Sequence, residues 1–122
     1  MHFLVVDDST TNLIVIFHIL EKLGFSAQTA NSGDEALELL KDSKVVFDFV
    51  IIDLYMPGKS GIETTKIIRN VLNLKNIPII ALTASESNDT RVEAFKSGMN
   101  GYIIKPITSC KILDEIKKYL QS

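Results

Sequence analysis

Five short apolar runs, separated by stretches with helical periodicity, constrain this chain more than any other feature. The runs are Phe3–Val6, Phe25–Ala30, Phe49–Ile52, Ile77–Leu82 and Tyr102–Ile104. Four are nearly continuous in Val, Ile, Leu and Phe, the pattern of strands buried on both faces of a parallel sheet. The second alternates with polar Ser26 and Gln28, so it belongs at a sheet edge.

The intervening segments carry helix punctuation. Leu13, Ile16, Phe17, Leu20 and Leu23 make a 3.6-period face ended by Gly24, with Phe25 as the hydrophobic follow-on. Ser32-Gly33-Asp34-Glu35 reads as a capping box opening Ala36–Leu40, and Ser60-Gly61-Ile62-Glu63 as another opening Ile62–Leu72. A fourth helix is expected from about Glu86 to Lys96, stopping at Gly98. Thr108 is placed to cap a fifth, striped by Ile112, Leu113, Ile116 and Leu120.

Strand and helix thus alternate five times. That predicts an α/β chain with one open, doubly wound, five-stranded parallel sheet, right-handed crossovers and helices on both faces. For five strands the common order is 2-1-3-4-5. At 122 residues the chain is expected to be a single domain over 1–122, with a core large enough to need no disulfides.

Composition narrows the function by exclusion. The chain has 13 basic against 15 acidic residues, which supplies no positive excess for direct nucleic-acid binding. Cys110 is the only cysteine, so it has no internal disulfide partner and reads as a small core or surface residue. No apolar run approaches the ~20 residues of a membrane span, and Asp7-Asp8 interrupts the N-terminus where a signal peptide would stay apolar. The expectation is a cytoplasmic chain with no membrane insertion. His2 and His18 lack metal-ligand spacing and read as surface residues.

The unusual polar residues fall at strand ends. Asp7-Asp8 follows the first strand and Asp53 the third; Thr83-Ala84 follows the fourth and Lys105-Pro106 the fifth. In an open α/β sheet, ligands bind beyond the carboxyl ends of the strands, at the point where strand order reverses. Here that point lies between the first and third strands. One Asp after a strand is often only a cap or turn residue; three carboxylates, a hydroxyl and an ammonium at one sheet edge form a site.

Clustered carboxylates raise one another's pKa unless a cation joins them. Lys105 balances one charge of three and leaves the site at −2, the formal net charge of the whole chain. A hard, oxygen-liganded ion such as Mg²⁺ would balance the rest. A carboxylate beside such an ion and a lysine is a candidate nucleophile toward phosphorus, because phosphoryl transfer needs mainly positioning and charge neutralisation.

These residues, with Met56-Pro57-Gly58 after Asp53, closely resemble the receiver domain of two-component response regulators, a flavodoxin-like (βα)5 family that includes the bacterial chemotaxis regulator. The resemblance spans essentially the whole chain. It implies that Asp53 is the phosphoacceptor, in a domain that catalyses its own phosphorylation and dephosphorylation. Asp8, Asp53 and the backbone carbonyl of Tyr55 would bind Mg²⁺ (or Mn²⁺), with Asp7 assisting directly or through water. Thr83 would be the switch hydroxyl, Lys105 the phosphoryl-contacting ammonium and Tyr102 the aromatic switch coupled to Thr83. The resemblance further implies a cis Lys105–Pro106 peptide and a monomer or weak dimer. Tyr55 and Ser85 occupy positions where the family tunes dephosphorylation. The phosphoryl donor would be a histidine kinase or a histidine-phosphotransfer protein.

Two other readings stand beside this one. An Asp-nucleophile phosphatase would want a second acid two residues after the nucleophile, and that position is Tyr55. A receiver-fold interaction module that takes no phosphate usually lacks one of the acids, the Thr or the Lys. No output domain follows the fifth helix, so the chain is expected to be a single-domain regulator or a receiver from a larger protein. A partner face is also expected. On the first helix, Leu13, Val15, Ile16, Phe17, Ile19, Leu20 and Leu23 sweep an apolar arc of roughly 200°, and Ile14 lies outside even that. Ile14, Phe17 and Pro106 are therefore the candidate docking residues for the phosphohistidine partner.

Overall fold

The computed structural model of the chain describes residues 1–42 and 44–120. The elements alternate as β1 (His2–Val6), α1 (Thr10–Lys22), β2 (Ser26–Ala30), α2 (Gly33–Lys41), β3 (Phe49–Asp53), α3 (Gly61–Asn70), β4 (Ile79–Thr83), α4 (Asn88–Ser97), β5 (Gly101–Ile104) and α5 (Ser109–Leu120). All strand pairs are parallel, in the order β2-β1-β3-β4-β5. This is the doubly wound sheet expected from the alternation.

Side-chain alternation sorts the core into two layers. Phe3, Val5, Phe49, Ile51, Ile80, Leu82 and Ile103 pack with Leu13, Ile16 and Leu20 of α1 and Ile112 and Ile116 of α5. Leu4, Val6, Val50, Ile52, Ile79 and Ala81 face Ala36, Leu37, Ile68 and Ala94 of α2, α3 and α4. Each large side chain buried this way is worth about 1.5–3 kcal/mol. The side chain of Leu120, the last residue of the expected α5 stripe, lies outside the described residues.

The caps follow the sequence closely. Ser32 Oγ accepts from Glu35 N at 3.1 Å and Ser60 Oγ from Glu63 N at 3.1 Å. Thr108 Oγ1 accepts from Lys111 N at 3.2 Å. At the end of α1, Gly24 has φ +91°, and Phe25 N donates to Leu20 O at 3.0 Å while Gly24 N donates to Glu21 O at 3.0 Å. This double closure satisfies two orphan carbonyls.

α3 ends at Asn70 rather than Leu72 and α4 begins at Asn88 rather than Glu86; three further expectations shift. β4 begins at Ile79 rather than Ile77, because Pro78 has no N–H to add to a ladder and Ile79 N donates to the side chain of Asn100. Val15 is 40% exposed: α1 lies against β1 and β2, which cover the Leu13–Ile16–Leu20 centre of the arc and leave its flank open. His2 is half-buried rather than on the surface, its ring stacked on Phe47 at 4.9 Å with Nδ1 2.8 Å from Ser26 Oγ.

One buried charge was not expected. The Arg69 guanidinium donates to Gly98 O at 3.0 Å, Leu74 O at 2.7 Å and Asn100 Oδ1 at 2.7 Å. It ties the end of α3 to the α4–β5 turn, and burial holds its pKa below the usual range.

Candidate functional site

Strand register sets the site. Val6 pairs with Ile52, so Asp7, one residue on, comes level with Asp53 at the end of β3. Asp53 pairs with Leu82, and Thr83 pairs with Ile104. The next residues of β1 and β5 are therefore Asp7 and Lys105, and both meet Asp53. Carboxylate oxygens of Asp7, Asp8 and Asp53 all lie within 4.8 Å of one another. Lys105 Nζ stands 3.7 Å from Asp7 Oδ2 and 3.5 Å from Asp53 Oδ2.

The acids are held differently. Asp7 is fully buried; its Oδ1 accepts from Ser9 N at 2.9 Å and its Oδ2 from Asn12 Nδ2 at 3.1 Å. Asp53 is 5% exposed and its Oδ1 accepts from Tyr55 N at 3.3 Å. Asp8 is exposed and opens the cluster to solvent. The Asp53 pKa is raised, first by burial and then by the charge of Asp7. Lys105 and the Tyr55 N–H act in the opposite direction.

The donor set fits a hard divalent cation. Opposite oxygens of a Mg²⁺ octahedron stand about 4.2 Å apart. At most one pair of three ligands can be opposite, and the others stand about 3.0 Å apart, so acids within 4.8 Å of one another close on such an ion by side-chain rotation or through one water-bridged ligand. Three carboxylates against one ammonium also leave the charge that such an ion would neutralise.

On the far side, Thr83 is fully buried and its Oγ1 accepts from Ser85 N at 3.0 Å, leaving its proton free to be donated. Tyr102 is half-buried; its hydroxyl donates to Ser85 O, and the Arg91 guanidinium lies 5.0 Å above its ring. Tyr102 and Thr83 therefore both bond to the main chain of Ser85, one at the carbonyl and one at the amide. The Tyr55 side chain is 62% exposed, with Oη 3.5 Å from Thr90 Oγ1. The Lys105–Pro106 peptide is cis.

The response regulator receiver domain family matches residues 3–117 of the chain. The chain belongs to that family. This receiver is 38% identical over 122 residues to the chemotaxis protein CheY-3 of Vibrio cholerae, covering 99% of the chain and 92% of the relative. It is 35% identical to the chemotaxis protein CheY of Pseudomonas aeruginosa, covering 99% and 97%. It is 31% identical to a part of the sensor histidine kinase CheAY of Helicobacter pylori, covering 97% of this chain and 15% of the kinase. Among solved structures, CheY4 of Vibrio cholerae superposes with a TM-score of 0.89 at 32% identity, covering 96% of each chain. The receiver fold, with its five parallel strands in this order, is therefore shared with chemotaxis regulators.

The register brings together Asp7, Asp8, Asp53 and Lys105, all anticipated from their strand ends. Thr83 and Tyr102 meet at Ser85 beside them. Ile14 and Phe17 lie apart on α1. With Thr10, Leu13, His18 and Thr29 they line a shallow pocket of about 270 Å³, Ile14 being 53% exposed. Sequence reasoning missed Asn12 and Ser9. The signal was their position in the turn directly after Asp7, where a short polar side chain or a free helix N–H can reach back to a strand-end acid.

Proposed function

We propose that residues 1–122 act as one phosphoaccepting receiver domain, in which Asp53 takes a phosphoryl group from a partner phosphohistidine and later loses it to water. The observation that supports this best is the buried Asp53 carboxylate, with Lys105 Nζ at 3.5 Å and two further acids in the same cluster. A nucleophile there has an ammonium at hand for the transferred oxygens. An Asp53 oxygen attacks phosphorus and the P–N bond breaks; the electron pair stays on the partner imidazole, which takes up a proton. Lys105 and the free Thr83 proton bind the phosphoryl oxygens in the product.

Asp7, Asp8, Asp53 and the Tyr55 carbonyl would hold Mg²⁺ or Mn²⁺, which when bound neutralises charge on the transferring oxygens. Movement of Thr83 toward the phosphoryl group would pull on Ser85, whose carbonyl holds the Tyr102 hydroxyl, so the same segment carries the switch outward. The donor is a histidine kinase or a histidine-phosphotransfer protein, and we place the domain in the cytoplasm with such partners. No helix among the described residues is long and apolar enough to cross a membrane.

Incubation with Mg²⁺ and acetyl phosphate, read by intact mass, tests the reading. A phosphoryl adduct is expected on the wild type, lost with a chelator and absent from Asp53→Asn. Equal adducts on both proteins would overturn it.

Docking is a separate prediction. The exposed Ile14 beside the half-buried Phe17 would meet the donor, with the exposed Pro106 just after β5 as a further contact. Ile14→Arg is expected to slow transfer at least about fivefold from a phosphorylated histidine-phosphotransfer protein that labels the wild type, since losing an anchor contact costs over about 1 kcal/mol. Acetyl phosphate labelling and the melting temperature should stay as they were. Equal losses by both routes would refute the docking face.

A further inference from the structure

Lys111 lies in the first turn of α5, outside the residues singled out by sequence, and its ammonium turns back toward β5. Nζ donates to Ile104 O at 2.9 Å and to Pro106 O at 3.1 Å, the carbonyls on either side of Lys105. The base of Lys111 is itself anchored, because its N–H is capped by Thr108 Oγ1 at 3.2 Å and Ile112 N donates to Thr108 O at 3.2 Å. On the sheet side, Lys105 N donates to Thr83 O at 2.8 Å. Residue 105 is thus gripped by a ladder bond at its amide and by a charged bracket across its two neighbouring carbonyls.

This matters because a lysine ammonium sits on a flexible four-carbon stem and is placed no better than the backbone it springs from. Lys105 Nζ has to stay within reach of Asp53 and Asp7 and of any phosphoryl group between them. Hydrogen bonds from an ammonium to a carbonyl are about twice as strong as neutral ones, and two from one donor group fix the path of the segment between their acceptors. The α5 cap and the β5 exit become one rigid unit through a single side chain.

We propose that Lys111 is a positioning residue for phosphoryl transfer: it holds the main chain around Lys105 and so sets where that ammonium meets the incoming phosphoryl oxygens. The inference rests on the role given to Lys105 above. A misplacement of about 1 Å can cost as much as 10²-fold in rate, and the loss of one bracket in an otherwise folded site is expected to cost about tenfold.

The test compares initial rates of acetyl phosphate labelling with Mg²⁺ for the wild type, Lys111→Met, Lys111→Arg, Lys105→Ala and the Lys105→Ala/Lys111→Met double variant. Lys111→Met keeps the stem and removes the donors, and should label about tenfold more slowly. Lys111→Arg, which restores donors, should recover most of that rate. The double variant should be no slower than Lys105→Ala alone, because a residue that acts through Lys105 has nothing left to position. Mg²⁺ affinity, followed by the emission of the three tyrosines in this tryptophan-free chain, should be unchanged in Lys111→Met.

A wild-type rate in Lys111→Met, while Lys105→Ala is slow, would overturn the inference. Multiplying losses in the double variant, or a weakened Mg²⁺ affinity in Lys111→Met, would do the same by showing a general structural role. If Lys105→Ala labels normally, the role of Lys105 fails and the bracket falls with it. An adduct that persists on Asp53→Asn strikes at the phosphoacceptor reading instead.

Discussion

Gly61→Ala is expected to destabilise the fold by about 3 kcal/mol and to slow phosphoryl labelling of Asp53. Gly61 opens α3 directly after its cap Ser60, and its N–H donates to Leu54 O at 2.9 Å. A Cβ there would press on Asp53 O and lie 2.9 Å from Leu54 Cα and 3.0 Å from Asp53 C. These are backbone atoms at and just after the end of β3, where Asp53 sits, and no rotamer change can move them. Glycine is required here for space and not for an unusual φ. Either α3 lifts from β3, loosening the buried Thr64, Thr65 and Ile68, or Asp53 itself is displaced. Overpacking costs about 1–3 kcal/mol, and rigid neighbours put this case at the upper end. Where space allows, Gly→Ala instead stabilises by about 0.4–1 kcal/mol through the unfolded chain. The sign of the change in a urea titration therefore decides between the two outcomes.

The second large effect concerns charge. In the absence of a divalent cation, Asp53→Asn should be more stable than the wild type at neutral pH while taking no phosphoryl group. The folded-state pKa of Asp53 is raised above its ordinary value of 3.8 by burial and by Asp7, so between those two values the folded chain binds more protons than the unfolded one. Wild-type stability consequently falls as pH rises through that window, and the penalty persists above it. Asparagine keeps the shape and the acceptor for Tyr55 N but carries no charge, and Lys105 retains Asp7 at 3.7 Å. The advantage of Asp53→Asn should therefore be present at pH 7, shrink as pH falls through the raised folded-state value, and be gone below about pH 4. Mg²⁺ at a hundredfold excess over its Kd should add about 2.7 kcal/mol to the wild type and much less to the variant. Paired denaturation curves at pH 7 and pH 4, with chelator and with Mg²⁺, check this. A variant less stable than wild type at pH 7 in chelator would contradict the charge argument.

The acid cluster is an electrostatic liability that the fold carries, and the proposed cation would relieve it. The two-layer core supplies the stability against which that liability is held.

Much of this was legible before any coordinates. The Ser32, Ser60 and Thr108 caps and the glycine stops at Gly24 and Gly98 are local chemistry, decided within one helical turn, and all five appear in the structure. Strand ends that carry Asp7, Asp53, Thr83 and Lys105 were readable because a parallel sheet puts every carboxyl end on one edge. Less legible were boundaries set by a distant partner, such as the start of β4, where Asn100 takes the Ile79 N–H. The buried Arg69 was invisible for the same reason: its three acceptors at Leu74, Gly98 and Asn100 come from turns brought to it by packing.

What the amino-acid sequence determined by itself is the alternation, the sheet order it implies, and the identity of the groups at the active edge. Those follow from short-range rules: hydrophobic period, capping and handedness of crossovers. Only the tertiary structure decided how those groups are held. The bracket of Lys111 around Lys105, the Asn12 bond to Asp7, the seat of Gly61 on Asp53 and the shared Ser85 between Thr83 and Tyr102 all depend on positions good to a fraction of an ångström. Hydrogen bonds and steric contacts change steeply over that distance, whereas hydrophobic patterning is indifferent to it.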